Sequence, residues 1–154
     1  MAVETMTHLE RRKIEAQVLI PMLQAFQRAF GAEQANTVAR EVFLGWARDA
    51  GAHFAERFGN DFAGLEEVWK VWAGGGVLEL EDWQQSDASL SFSVTRCGYA
   101  EFFRSRGLAE LGFLLCCNRD HAVVEGFNPE MSLSRTQTLM QGTSHCNFRY
   151  ERKT

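Results

Sequence analysis

Residues 74–95 read GGGVLELEDWQQSDASLSFSVT, and within them the period of the chain changes. Gly74, Gly75 and Gly76 close a helical pattern, after which Leu78 and Leu80 alternate with Glu79 and Glu81. Beyond a polar turn over 84–87 the alternation resumes, with Leu90, Phe92 and Val94 on one side and Ser91, Ser93 and Thr95 on the other. A period of two belongs to a strand with one covered face, so the stretch predicts an antiparallel hairpin. The triple glycine is no phosphate loop, because it precedes a strand and no Lys-Ser or Lys-Thr pair follows.

Upstream the pattern is helical. His8 to Phe30 carries Leu9, Val18, Met22, Leu23, Phe26 and Phe30 at helical spacing, with Pro21 expected to kink it and Gly31 to stop it. A second helix over 33–57 bears Val38, Val42, Trp46 and Phe54 as one stripe. A third, over 61–73, is expected to be capped by Asn60 and to turn Phe62, Leu65, Trp69 and Trp72 inward. Downstream, 99–116 reads as a helix broken at Gly107 and Gly112. Residues 131–141 alternate as a strand, with Thr136 and Thr138 on one side and Arg135 on the other, and 145–151 make a last strand. The sum is an α+β layout: N-terminal helices followed by a mostly antiparallel sheet of about four strands with a crossing helix. With 154 residues and no linker composition, one domain is expected over 1–154, helical over 1–73 and sheet-forming over 74–154.

Composition narrows the function. The net charge is −4 and the 16 Lys and Arg residues are scattered, so no basic stripe for nucleic acid is present. The N-terminal MAVETMTHLERRK has neither a long apolar segment nor a small-residue cleavage site, and a cytoplasmic protein with no membrane partner is expected. In that compartment the four cysteines are expected to be thiols, and no C-x-x-C spacing points to zinc.

The chemistry-bearing residues gather between Cys97 and Arg149. Cys97 ends a strand just before a helix, where a lowered thiol pKa is expected, and continued alternation puts it on the Ser/Thr face. Cys116 extends an apolar run and fits a core role. Asp120 and His121 read either as a solvated loop or as groups beside Cys117, with Asp120 receiving its proton or positioning a water. Arg135 and Arg149, set among Thr, Gln, Cys and Asn, suit a two-pronged grip on a small carboxylate. In the last strand Cys146, Phe148 and Tyr150 share one face and His145, Asn147 and Arg149 the other, so Cys146 and Asn147 enter one pocket only if a bulge rotates one of them.

Three blocks, TRCGYAEFFRSRGLAELG (95–112), CNRDHAVVEGFNP (117–129) and SRTQTLMQGTSHCNFRY (134–150), together resemble the L-2-amino-thiazoline-4-carboxylic acid hydrolase family. The resemblance is close over these blocks and general over the helical N-terminal part. It implies a hydrolase of C–N bonds that opens a small cyclic amidine bearing a carboxylate to an N-carbamoyl amino acid, with no cofactor. By the same resemblance Cys117, Asp120, Cys146 and the side chain at position 147 are the catalytic candidates. The resemblance also picks out Cys97, Arg135 and Arg149, and these with Thr138 and His145 of the last block are the substrate-binding candidates. The family motif commonly reads Cys-Asp-Phe-Arg where this chain has Cys146-Asn147-Phe148-Arg149, and an asparagine accepts no proton at neutral pH. If that position is the general base, the chain is inactivated or works differently. A second expectation from another class is a non-catalytic small-ligand or zinc site built from Cys97, Cys117, His121 and Cys146.

Overall fold

The computed structural model describes residues 6–154. Residues 1–5, on which part of the expectation of no leader rests, lie outside them. Helix α1 (His8–Phe30) begins in a capping box, in which Thr7 Oγ1 accepts from the Glu10 amide at 3.2 Å and Glu10 accepts from the Thr7 amide at 2.7 Å. It runs on through Pro21 and ends at Gly31, whose φ of 87° a side chain would resist. Helix α2 (Ala32–Phe58) returns alongside, with Gln27 donating to Asn36 across the pair. Helix α3 (Phe62–Ala73) is capped by Asp61 rather than Asn60, its carboxylate accepting from the Gly64 amide at 2.8 Å.

The predicted hairpin is present as β1 (Leu78–Gln85) and β2 (Ser89–Cys97). Helices α4 (Gly98–Arg104), α5 (Ala109–Leu115) and α6 (Asp120–Phe127) cross to β3 (Met131–Ser134) and β4 (Cys146–Arg152). The sheet is antiparallel throughout, in the order β1-β2-β4-β3. Its inner face carries Leu90, Phe92, Val94, Cys146, Phe148 and Tyr150, all buried, against Phe62, Leu65, Val68 and Trp69 of α3. Trp69 is the keystone: its ring lies 4.6 Å from Phe92 and 4.7 Å from Phe148, and its Nε1 donates to the Tyr150 hydroxyl at 3.1 Å. The α+β class and the alternation of both long strands are as expected.

Four local expectations are corrected. The strand expected over 131–141 ends at Ser134, because the Asn147 side chain takes the amides of Thr136 and Gln137 and a 3-10 turn follows at Leu139–Gln141. Gly107, with φ 68°, breaks the crossing helix, but Gly112 sits inside α5. A Cβ there would meet the Phe103 ring at 2.6 Å, so glycine serves packing at that position. The stretch from Asp120 is helix α6, not a loop. Finally, Val38, Val42 and Trp46 of α2 face outward, as do Val18, Met22, Phe26 and Phe30 of α1. Helix α2 instead buries small residues against α6. Ala47 and Ala122 are sealed, a Cβ on Gly51 would strike the Val123 carbonyl, and one on Gly126 would strike that of Arg48. Periodicity finds a stripe, but closeness of approach decides which stripe is covered. No helix among the described residues is long and apolar enough to cross a membrane.

Candidate functional site

A cavity of about 400 Å³ opens between the start of α1, helices α2 and α3, the inner sheet face and the segment from Cys116 to Asp120. Of the residues singled out in the sequence, Cys97, Cys117, Asp120, Arg135 and Cys146 all line it. Trp69, Trp72, Phe54, Leu78 and Phe148 form its apolar walls.

Cys97 reaches the cavity through a bulge. Leu78 pairs with Cys97 and Glu79 with Arg96, but Leu80 pairs with Val94, so Thr95 is an extra residue in β2. One inserted residue reverses the side-chain alternation, which carries Cys97 to the inner face and leaves Arg96 outside, paired with Glu101 at 2.8 Å. The alternation is thus broken in β2, and no bulge turns Cys146 and Asn147 into one pocket. In β4 strict alternation holds, with Cys146 inward and Asn147 outward.

Asp120 opens α6, and Arg135 from the far side of the cavity donates to its carboxylate. The second amino group of Arg135 donates to the Cys117 carbonyl at 3.0 Å, and its guanidinium lies over Phe148, 5.4 Å from the ring centre. Only 4% of the Arg135 side chain is exposed, and its Nε has no partner. Burial pushes the Asp120 carboxyl above the usual carboxylate range, and Arg135 pulls it partly back.

The thiols are neutral at rest. Burial pushes Cys97 up to about 11 and Cys116 up to about 12, and it lifts Cys117 and Cys146 as well. For Cys117 the nearby Asp120 charge adds to the effect. The lowered pKa expected for Cys97 is thus overturned. Its sulfur does accept from the Ala100 amide at 3.4 Å, but desolvation outweighs that bond. Cys116, expected in the core, also lines the cavity.

Sequence reasoning missed the other basic groups of the lining, Arg11, Arg12, His53 and Arg57 and, more deeply set, Arg119 and His8. Arg119 is 9% exposed and faces the cavity. His8 bonds the Tyr99 hydroxyl at 2.9 Å, Tyr99 in turn donates to the Trp72 carbonyl at 3.0 Å, and Arg12 approaches the other ring nitrogen at 3.4 Å. Burial, reinforced by Arg12, Arg119 and Arg11, pushes His8 down to about 3, so it is neutral. An arginine after a cysteine pair and a histidine in a first helical turn carry no pattern of their own; only folding joins them.

Four expected site residues lie elsewhere. Asn147 holds the chain after β3: its Oδ1 accepts from the Thr136 and Gln137 amides at 3.0 and 3.1 Å, and its Nδ2 donates to Thr136 Oγ1 at 2.8 Å. Arg149, on the outer face, pairs with Glu151 at 2.7 Å. His145 meets Gln137 and Ser144, and Thr138 is buried as the cap of the 3-10 turn, accepting from the Gln141 amide at 3.2 Å. His121 is exposed. Among the described residues no group of three or more His, Cys, Asp or Glu side chains is arranged to hold a metal, so the zinc set is not assembled.

The fold and cavity define an α+β protein with a sheltered pocket in which a carboxylate, a guanidinium and several thiols meet. A family model for L-2-amino-thiazoline-4-carboxylic acid hydrolase matches residues 11–150, and the chain belongs to that family. No curated protein matches the sequence. Among solved structures, the fold is shared with a trafficking protein particle complex subunit 3 from Naegleria fowleri, described as covalently bound to palmitic acid. That likeness has a TM-score of 0.51 at 12% identity and covers 92% of this chain and 97% of that one.

Proposed function

We propose that the cavity is a hydrolytic site that opens a small cyclic amidine bearing a carboxylate, to give an N-carbamoyl amino acid. The observation that carries this reading is the sheltered Asp120 carboxylate, fixed by Arg135 beside four cavity thiols in a chain of this family. With every thiol held neutral by burial, a water nucleophile is the simpler route. Water adds its oxygen to the amidine carbon, and its first proton passes through Asp120 to the ring nitrogen as the C=N bond becomes single. Asp120 then takes the proton of the added hydroxyl as the C=O bond forms and the ring C–S bond breaks, and it delivers that proton to the leaving sulfur. A carboxyl with a raised pKa suits both halves of this exchange, because it takes and releases a proton nearer neutrality. Apolar walls strengthen the field of the Asp120–Arg135 pair on the reacting carbon.

The test is direct. The protein is incubated with 2-amino-thiazoline-4-carboxylate and the N-carbamoyl product followed by mass spectrometry. Product is expected from the wild type and from Cys97→Ser, Cys117→Ser and Cys146→Ser, with loss of about 100-fold or more for Asp120→Asn. No product from the wild type would sink the reading, and loss in one cysteine variant alone would replace water by that thiol.

A second reading is favoured by the cavity volume, which exceeds what one five-membered ring needs. In it the apolar walls hold a long acyl chain as a thioester on a cavity cysteine, as the palmitic acid of the Naegleria subunit is held covalently. Intact mass spectrometry of the purified protein with and without hydroxylamine decides: a hydroxylamine-sensitive acyl adduct favours this reading.

A further inference from the structure

Three partly or wholly buried guanidiniums line the cavity, those of Arg12, Arg119 and Arg135, beside the exposed Arg11 and Arg57, and Asp120 is the carboxylate among the lining residues. Glu15 is taken by Arg12 and Asp120 by Arg135. Arg119 is left over. It is nine-tenths buried, it lines the cavity, and its side chain makes no hydrogen bond or ion pair with any described residue. The two carboxylates near it, Glu15 and Asp120, act on it only at longer range and are each bonded to another arginine, while Arg12 is a like charge. A buried, unpaired cation is strongly unfavourable, and an anion brought into the cavity is the natural relief.

We propose that Arg119 anchors the anion of the ligand, and that the cavity takes a monocarboxylate whose organic part lies against Trp69 and Trp72. Arg135, the sequence-based candidate for this grip, is already committed through both amino groups, and Arg149 is on the outer face. A guanidinium also suits a carboxylate better than a point charge would, because its fork matches two oxygens. The proposal rests on the hydrolytic reading for the ring of the ligand, while the anchoring itself requires no turnover.

The test compares two probes that differ by one charge, 2-aminothiazole-4-carboxylate and its 4-carboxamide, by titration calorimetry at pH 7. Wild type is expected to prefer the carboxylate by about 10- to 100-fold. Arg119→Met is expected to abolish that preference while binding the carboxamide as before, and Arg119→Lys to keep part of it. Unliganded Arg119→Met is also expected to melt no lower than wild type, since it removes an uncompensated charge. A preference that persists in Arg119→Met, an Arg119→Met that fails to fold, or displacement of the carboxylate by equimolar inorganic phosphate would each overturn the inference. Ring opening equally fast for carboxylate and carboxamide substrates would overturn it while leaving the hydrolytic reading intact. Carboxylate preference without any ring opening would do the reverse.

Discussion

Arg135 donates to the carboxylate of Asp120 across the cavity from a side chain almost wholly buried, and the same guanidinium ties down the carbonyl of Cys117. Asp120 therefore owes both its charge and its position to a residue 15 places further along the chain. Truncating Arg135 strands a carboxylate in a low-dielectric site, and removing one partner of a buried pair costs about 3–5 kcal/mol. Arg135→Ala should lose stability on that scale in urea unfolding at pH 7, whereas the Asp120→Asn, Arg135→Met double variant should lose less than the single one. Equal losses would mean that Arg135 acts through packing alone.

His8 makes a prediction of definite sign. Its folded-state pKa is held at about 3 against an ordinary value of 6.5, so between these limits the unfolded chain binds the extra proton. Its contribution to stability is therefore present above about pH 6.5 and lost as the pH falls toward 3. By about pH 4.5 the loss reaches roughly 2–3 kcal/mol. Wild type should lose that much more than His8→Gln on going from pH 7 to 4.5, measured by denaturant midpoints. Parallel pH dependence in the two proteins would place the ring of His8 in water.

The alternation in residues 78–95 and 146–150 was legible because a sheet with one covered face leaves a period of two in the sequence. The helices of the N-terminal half were legible for the same reason at their own period. Helix α6 was not, because its register depends on Gly51 of α2 meeting α6 backbone and Gly126 of α6 meeting α2 backbone, a contact between segments far apart in sequence. At the site, residue types served better than residue roles. Cys97 was judged to lie on the wrong face because the extra residue at Thr95 leaves no sequence mark. Asn147 and Arg149 fell beside the right residues in the chain but on the far side of the strand. Arg119 was invisible because its significance is a missing partner, and only the fold shows which acids are already taken.

Asn147 is the departure that the family motif makes conspicuous, and the structure gives it a structural task. An aspartate there would still accept from both amides that Asn147 Oδ1 holds, and Thr136 Oγ1 would become the donor rather than the acceptor. Asn147→Asp should therefore change stability by less than about 1 kcal/mol and leave turnover within about threefold. Asn147→Ala should cost about 1–3 kcal/mol by freeing the 135–137 segment that carries Arg135. Thermal unfolding with a turnover assay checks both, and a large gain of activity in Asn147→Asp would restore position 147 to the chemistry.

The last prediction concerns how α6 carries Asp120 to the cavity. A Cβ on Gly126 would be driven into the Arg48 carbonyl, which belongs to helix backbone and has nowhere to move. Gly126→Ala must therefore push α6 off α2, and overpacking of this kind costs about 1–3 kcal/mol or more. Because α6 begins at Asp120, the displacement should also weaken the Asp120–Arg135 pair and lower turnover. Gly45→Ala is the matched control: that glycine lies in α2 with open space around it, and alanine there should stabilise by about 0.5–1 kcal/mol through helix propensity. Melting temperatures that move in opposite directions, with turnover falling only in Gly126→Ala, would show that the close approach of α2 and α6 holds the acid in place. Equal behaviour of the two variants would mean that α6 tolerates displacement and that Asp120 is positioned by Arg135 alone.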